Sequence, residues 1–183
     1  KVRYIGCSNF IGWQLVEAQW TSQTSGLDTF VSAQNRYSLI SRDIEADLLP
    51  VCEKYDVGIL PFFPLESGLL TGKYKVGKSP QKGTRWHAWK ERGAIANAFF
   101  SEERFEMVDN LQALCDSHGH SLLELAIGWL IDNPCVSSVI AGATKPSQIK
   151  SNVKAAAFRP SEEERRLIDE ITLPGTLNGT WGR

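Results

Sequence analysis

The sequence predicts an α/β fold built on a parallel sheet, and three features of the residue pattern lead to that prediction. Short apolar runs alternate with segments of helical periodicity, which indicates alternating strands and helices. Each apolar run ends at a polar or glycine-containing turn. Several helical segments begin with a capping signal, as Ser121 and Glu124 do. Strands joined by helical crossovers are expected to run parallel.

The four predicted strands are short and lie far apart in the chain. They span residues 2–7, 30–34, 57–62 and 137–141. Because ligands of parallel α/β folds bind at the carboxyl ends of the strands, the polar residues after each strand are expected to form one site. The pattern is compatible with an open doubly wound sheet or with a (βα) barrel. No Gly-x-Gly-x-x-Gly follows the first strand, which weakens the doubly wound interpretation.

Helices are predicted between the strands and after the last one. Asp43 opens a helix that runs through Leu48 and Cys52, and Pro50 is an unexplained residue inside that pattern. The helix that follows Ser121 is apolar nearly all round and is expected to be buried. Serine caps open three helices, at Ser101, at Ser121 with Glu124, and at Ser161 with Glu164.

Composition and charge exclude several classes of protein. The 183 residues are 42% hydrophobic and 22% charged, with a net charge of −1. No stretch reaches the roughly 20 apolar residues of a membrane helix, and the near-neutral charge argues against a nucleic-acid partner. We therefore expect a cytoplasmic protein that binds neither a membrane nor nucleic acid. Its scattered cysteines are expected to be reduced and to form neither a zinc site nor a disulfide framework: Cys7, Cys52, Cys115 and Cys135.

One histidine pair is a possible metal site. His118 and His120 are separated by a single glycine, but no third ligand lies nearby in the sequence. We therefore expect a solvated turn at this position and no metal site.

Residues 139–152 are the most informative stretch of the chain. A short apolar run stops at Gly142, and a helix begins a few residues later. Thr144 or Lys145 is expected at the helix cap, with Pro146 in the first turn, where its missing N–H costs nothing. The turn therefore places unpaired amides and the positive end of a helix dipole at one point.

Three polar side chains extend this helix N-terminus into a candidate ligand site. Lys145 adds a full positive charge, and Gln148 and Asn152 lie one turn apart on the same helical face. These groups suit a phosphate with a flat polar ring beside it. An ordinary βα junction with a solvated lysine is the alternative interpretation.

Four segments together resemble the C-terminal half of the aldo-keto reductases. Residues 6–10 resemble the family's Gly-x-Ser-Asn-Phe after its fifth strand, and Gln34 with Tyr37 resembles its Gln-x-x-Tyr after the sixth. Residues 62–74 resemble its Tyr-Ser-Pro-Leu-x-x-Gly-Leu-Leu-Thr-Gly-Lys-Tyr segment, and residues 142–152 its last strand–loop–helix. The four segments occur in the family's order.

The resemblance implies a parallel (β/α)8 TIM barrel, of which this chain supplies about the last four βα units and a C-terminal helix. Residues 1–183 would form half of a single barrel domain, with a long flap-like loop at about 73–100. Four units cannot close a barrel, and Lys1 already lies next to a predicted strand. We therefore expect a piece of a longer protein, completed by the N-terminal half of the same barrel or by a second chain.

The resemblance also implies that the residues after the predicted strands hold NADP(H). Ser8, Asn9 and Gln34 would hydrogen-bond the nicotinamide carboxamide, and Phe62 would stack on the nicotinamide ring. The remaining members of the implied site would hold the pyrophosphate and the adenosine, with Thr144 and Lys145 near the 2′-phosphate: Pro64, Leu65, Ser67, Leu70, Lys73, Arg85, Gly142, Thr144, Lys145, Gln148 and Asn152.

Two residues depart from the family pattern. Phe63 replaces a small polar residue and removes a hydroxyl from the pyrophosphate side. Core packing is the expected role of that ring. Ser151 replaces the acidic residue that often precedes Asn152, which weakens the expected hold on adenine.

The family's chemistry implies an oxidoreductase that reduces an aldehyde or ketone with NADPH. Its catalytic Asp, Tyr, Lys and His come from the first four βα units, so no catalytic residue is expected in this chain, and the chain alone is expected to be inactive. The alternative is a nicotinamide-binding regulatory subunit like the channel β-subunits of the same family, with little or no catalysis.

Overall fold

A computed structural model of the chain describes residues 1–74, 82–89 and 99–173. Its sheet contains three parallel strands, β1 (Ile5–Ser8), β2 (Phe30–Gln34) and β3 (Gly58–Ile59), in that spatial order. Most of the flap-like loop expected at about 73–100 lies outside the described residues.

The predicted fourth strand is present only as a bridged segment, so the prediction of four strands is corrected to three. Val136 bridges Ile59, and Ile140 bridges Phe62, both in parallel. The Ser137 N–H donates to the Ile59 carbonyl oxygen at 3.0 Å. The chain therefore runs beside β3, but the two bridges are unequally spaced along the two segments and do not form a continuous ladder. The other strands are also shorter than predicted, because pairing begins only at Ile5 and is regular in β3 for two residues.

The helices bury one face of this sheet. Cys7, Ala33 and Ile59 are buried at neighbouring positions of the three strands, whereas Gly6 and Ser32 on the opposite face are not. The α-helices with described bounds are α1 (Gly12–Ser25), α2 (Leu48–Tyr55), α3 (Arg85–Trp89), α4 (Glu102–His118), α5 (Leu122–Asp132), α6 (Pro146–Ala155) and α7 (Glu162–Thr172).

The helix predicted from Asp43 is two elements. A 3₁₀ helix covers Asp43–Glu45, and α2 begins separately at Leu48. Pro50 is therefore the third residue of α2, where the backbone N–H of any residue lacks an intrahelical acceptor. The break removes the conflict that Pro50 caused in the sequence pattern.

The predicted serine caps are confirmed. Ser101 Oγ accepts a hydrogen bond from the Arg104 N–H at 3.4 Å. Ser121 Oγ accepts one from the Glu124 N–H at 3.2 Å, while a Glu124 carboxylate oxygen accepts from the Ser121 N–H at 2.9 Å. The predicted burial of α5 is also confirmed, because its side chains from Leu125 to Leu130 are buried.

The solvated turn expected at His118 and His120 is wrong for His120. The His120 side chain is only 9% exposed, and its Nε2 lies 2.5 Å from a Glu164 carboxylate oxygen. Its ring packs against Phe158, with the ring centroids 4.4 Å apart. Within the described residues, no three His, Cys, Asp or Glu side chains come together as a metal site. His120 therefore joins the start of α5 to the start of α7.

Large apolar side chains remain exposed at both lateral ends of the sheet. Tyr4 beside β1 and Trp13 and Trp20 on α1 form one group, and Ile149 and Val153 on α6 form the other. None of the helices in the described part of the chain combines the length and apolar character that a membrane span requires.

Arg42 joins distant parts of the chain through a nearly buried side chain. Its guanidinium donates to Glu45 at 2.8 Å, to Asp169 at 2.6 Å and to Thr172 at 2.9 Å. It also lies over the Trp129 ring, 4.9 Å from the centroid. The 3₁₀ helix after β2 is thereby attached to α7 and to α5.

We expect Arg42→Met to lower the free energy of unfolding by about 2–3 kcal/mol, because it leaves partly buried carboxylates without their cation. Urea denaturation measures this change. The matched control is Arg166→Met, since Arg166 pairs with Glu170 on the exposed surface of α7 and such pairs contribute about 0.5 kcal/mol or less. Equal effects of the two substitutions would contradict the importance of the Arg42 contacts.

A second prediction concerns Glu164, whose carboxylate caps α7 and contacts His120. Burial acts to raise the pKa of Glu164, but hydrogen bonds from Ser161 and His120 outweigh it and hold the pKa below its ordinary value. A lowered pKa means that the ionised carboxylate stabilises the fold above the ordinary pKa of 4.5, and that this contribution is lost as the pH falls through the folded-state pKa.

We therefore expect Glu164→Gln to cost about 1 kcal/mol of stability at pH 7, with the difference from wild type shrinking below pH 4.5. Chemical denaturation at several pH values measures it. Glu163→Gln is the control, because Glu163 is exposed in the same helical turn. A difference that stays constant down to acid pH would argue against this account of Glu164.

Candidate functional site

The carboxyl ends of β1 and β2 meet through one acceptor. Ser8 Oγ donates to the Gln34 carbonyl oxygen at 3.0 Å, and the Asn9 N–H donates to the same oxygen at 3.0 Å. The Asn9 side-chain amide nitrogen, Nδ2, in turn donates to Ser8 Oγ at 3.2 Å. Ser8 and Asn9 are exposed and Gln34 is half-buried, so these polar side chains lie together at an open edge.

The next two strand ends continue the same edge. The Phe62 N–H donates to the Asn35 carbonyl oxygen at 3.0 Å, and the Ile140 N–H donates to the Pro61 carbonyl oxygen at 2.9 Å. The residues after all four predicted strands are therefore connected, strand to strand, by hydrogen bonds. The backbone therefore joins the three strands and the bridged segment along one edge.

Backbone strain is concentrated at this edge. Among the described residues, the non-glycine residues with positive φ include Asn9 (58°), Phe63 (52°), Glu66 (45°) and Ser67 (58°). Non-glycine residues in the left-handed region carry an energetic cost and cluster at ligand sites, where the surrounding structure holds them. The segment after β3 thus has an unusual shape that the rest of the fold maintains.

The segment after β3 contains two half-buried phenylalanines and a buried hydroxyl. The Phe62 and Phe63 rings meet edge to face at 5.5 Å, and Phe63 meets Phe99 in the same way at 5.3 Å. The half-buried Phe63 ring therefore packs against the neighbouring Phe62 and Phe99 rings. Ser67 is buried, and its Oγ has no hydrogen-bond partner within the described residues. A buried hydroxyl without a partner costs free energy unless a ligand or water supplies one.

The other predicted site residues of this part of the chain differ in their exposure and in the contacts that they already make. Pro64 and Leu70 are buried, and the Leu70 N–H already donates to the Leu65 carbonyl oxygen at 3.3 Å. Lys73 is exposed, with its Nζ 4.9 Å from the centre of the Tyr74 ring. Arg85 is the first residue of α3, but its side chain lies outside the described part of the chain.

The turn after the fourth predicted strand has the predicted cap. Lys145 is the N-cap of α6 and Pro146 is its first residue. A Gln148 carboxamide oxygen accepts from the Thr144 N–H at 2.7 Å and from the Lys145 N–H at 3.1 Å. Gly142, Thr144 and Lys145 are exposed, and Asn152 is half-buried. The turn is an exposed, positively charged surface. The Gln148 carboxamide oxygen is already occupied by hydrogen bonds from the turn itself.

The sequence interpretation missed a buried ionic cluster beneath the same edge. It consists of Arg36, Ser38, Glu66 and Arg104, with a fully buried Glu66 carboxylate at its centre. Burial lowers the pKa of Arg104, while the nearby Glu66 acts to raise it. A single charged residue, Glu66, within the largely apolar residues 62–70 was the available signal.

Burial determines the pKa of a tyrosine and of two cysteines that lie outside this edge. Burial raises the pKa of Tyr37, and its hydroxyl donates to Glu45 at 2.7 Å. The four cysteines are unpaired in this structure, and burial raises the pKa of both Cys52 and Cys115 to about 12. Neutral buried thiols are poor nucleophiles.

Comparison with known proteins matches the chain to one family. The sequence model of the Aldo/keto reductase family covers residues 1–173. A probable voltage-gated potassium channel subunit beta of Oryza sativa subsp. japonica is 37% identical, over 86% of this chain and 48% of the relative.

Two bacterial relatives carry oxidoreductase names. The uncharacterized oxidoreductase YrpG of Bacillus subtilis is 30% identical, over 96% of the chain and 50% of the relative. An NADH-specific methylglyoxal reductase of Escherichia coli is 27% identical, over 93% and 49%. The chain therefore spans about half the length of the curated relatives that it matches.

Proposed function

Since the chain belongs to the aldo/keto reductase family, we propose that it supplies the NADP(H)-binding half of an oxidoreductase that reduces the carbonyl of an aldehyde or ketone. The observation that carries this proposal is the hydrogen-bonded edge at which Ser8, Asn9, Gln34 and Phe62 lie together. The nicotinamide carboxamide needs both donors and acceptors, its ring needs an aromatic face, and the diphosphate needs donors.

The residues after β1 and β2 fit the nicotinamide end. Ser8, Asn9 and Gln34 offer both donors and acceptors to a carboxamide, and the half-buried Phe62 offers a ring face. These contacts would fix which face of the ring points toward the substrate. The chemistry that NADPH supplies when bound is hydride transfer to the carbonyl carbon.

The segment after β3 fits the diphosphate. The Ser67 hydroxyl is buried without a partner and can donate to a phosphate oxygen. The strained backbone from Phe63 to Gly68 persists although it is costly, which is typical of a segment shaped for a ligand. Lys73 and Arg85 would add positive charge near the same groups, and Pro64, Leu65 and Leu70 would shape the segment around them.

The turn before α6 fits the adenosine 2′-phosphate. Lys145 and Thr144 are exposed at a helix N-terminus, where a phosphate is favoured by the dipole and by the lysine charge. Gly142, Gln148 and Asn152 would border the adenine and ribose. One relative is named as NADH-specific, so a preference for NADH is the competing outcome.

The exposed apolar side chains at both ends of the sheet support a barrel that other segments complete. Tyr4, Trp13 and Trp20 at one end, and Ile149 and Val153 at the other, are a costly surface for an isolated chain. We infer that an N-terminal half of the same barrel covers them and contributes the catalytic Asp, Tyr, Lys and His of a cytoplasmic enzyme. A second chain in that place is the alternative.

A regulatory nicotinamide-binding subunit is the second candidate function. The observation that favours it is the 37% identity to a probable channel subunit beta. Such a protein would bind NADP(H) through the same residues and turn over little or no carbonyl substrate. Measurement of NADPH oxidation by the full-length protein with a panel of aldehydes separates the two functions.

We expect Lys145→Glu in the full-length protein to weaken NADPH binding by about 2–4 kcal/mol, because a charge-assisted contact is lost and a like-charge clash is gained. NADH lacks the 2′-phosphate and should lose much less. Fluorescence titration with both cofactors measures the two constants. Lys150→Glu makes the same charge change one and a half turns further along α6 and should weaken both cofactors slightly and equally. A matching loss for NADPH and NADH in Lys145→Glu would contradict the assignment.

We also expect the 183-residue chain alone to show no carbonyl reductase activity, because the catalytic Asp, Tyr, Lys and His are proposed to come from the N-terminal half of the barrel. The assay is NADPH oxidation with aldehydes, with the full-length protein as the positive control. Size-exclusion chromatography should show little soluble monomer. A monomeric, active preparation of these residues would refute the proposal that the catalytic groups lie elsewhere.

A further inference from the structure

We propose that Glu66 is a positioning residue whose buried carboxylate holds the cofactor-binding segment, Phe62–Leu70, in its strained shape against the end of β2. The inference rests on the proposed function for the identity of the ligand, NADP(H). Its structural basis is independent of that identity, because it comes from the contacts of one carboxylate with two separate elements.

Both oxygens of the Glu66 carboxylate are used. One accepts from Arg36 Nε at 3.1 Å and from Ser38 Oγ at 2.9 Å. The other accepts from an Arg104 terminal nitrogen at 2.5 Å and from Arg36. The Glu66 side chain has no exposed surface. Charge-assisted hydrogen bonds to a fully buried carboxylate are strong and directional, so they fix the position of Glu66 closely.

The partners of Glu66 lie on elements outside its own segment. Arg36 and Ser38 follow β2, and the Arg36 backbone bridges Phe62. Arg104 belongs to α4 and also donates to Ser41 Oγ at 3.1 Å. The carboxylate therefore connects the segment to the strand end that presents Gln34 and to the helix behind it.

The segment needs such a restraint. Phe63, Glu66 and Ser67 all have positive φ, which for non-glycine residues costs roughly 1–2 kcal/mol each. Glu66 lies in the middle of these residues, directly before Ser67 with its unpartnered hydroxyl. Loss of the Glu66 charge would leave two partly buried guanidinium groups near each other without their anion, which favours rearrangement of the segment.

Arg36 extends the effect toward the aromatic end of the site. Its guanidinium lies 4.2 Å from the centre of the Phe99 ring, and Phe99 contacts Phe63, which contacts Phe62. A shift of Arg36 would therefore displace Phe62, the ring proposed to face nicotinamide, through these contacts. We expect Glu66 to act on cofactor binding through these neighbours and to make no direct contact itself.

The test is Glu66→Gln in the full-length protein, because glutamine keeps the shape and removes the charge. We expect the Kd for NADPH and the KM for NADPH to rise about tenfold, equivalent to about 1.4 kcal/mol, with kcat within about twofold of wild type because ground-state and transition-state binding are lost together. Fluorescence titration and steady-state kinetics measure the three constants.

Two further variants separate positioning from general destabilisation. Glu164→Gln removes another buried, hydrogen-bonded carboxylate far along the chain and should lower Tm without changing the Kd. The double variant Glu66→Gln/Arg104→Gln restores the net charge of the cluster. It should bring the Kd back to within about threefold of wild type, an incomplete rescue because the hydrogen bonds remain weaker.

Three outcomes would overturn the proposal: an unchanged Kd in folded Glu66→Gln, an equal rise in Glu164→Gln, or no rescue in the double variant. If the wild-type protein binds neither NADPH nor NADH, the proposed function fails. Amide hydrogen exchange of residues 62–70 in the ligand-free protein then decides the positioning role. Faster exchange in Glu66→Gln than in Glu164→Gln supports it, and equal exchange refutes it.

Discussion

The shared carboxyl edge of the parallel sheet is the constraint on which the rest of the structure depends. Parallel pairing brings the residues after each strand to the same side, and the Gln34 carbonyl oxygen holds the first two strand ends together through Ser8 and Asn9. Phe62 and Ile140 extend the connection by backbone hydrogen bonds. Residues from four distant parts of the sequence thus meet at one edge through the parallel sheet and the segment bridged to it.

The buried charges form a second layer behind that edge and give it a fixed shape. Glu66 joins the strained segment after β3 to the end of β2, and Arg42 joins the next turn of the chain to α7. Buried ion pairs contribute little net stability compared with apolar packing, but they specify one arrangement, and loss of one partner is costly. One arginine of each cluster, Arg36 or Arg42, lies in the stretch of chain that follows β2.

The elements that could be predicted from sequence were those with local signals. The Ser121–Glu124 and Ser161–Glu164 capping boxes and the Lys145–Pro146 helix start depend on neighbouring residues only. The break before α2 was missed because Asp43 and Leu48 fit one helical pattern. The Arg36–Glu66–Arg104 cluster was missed because its members lie 30 and 38 residues apart. His120 looked solvated for the same reason, since Glu164 is 44 residues away.

The most direct test of the central claim is a crystal structure of the full-length protein with NADP⁺ bound. The account predicts the nicotinamide carboxamide within hydrogen-bond distance of Ser8, Asn9 or Gln34, the ring against Phe62, and the 2′-phosphate beside Lys145. It also predicts a diphosphate oxygen within hydrogen-bond distance of Ser67 Oγ. A cofactor bound elsewhere, or bound with Ser67 Oγ still without a partner, would contradict the claim that this strand edge is the cofactor site.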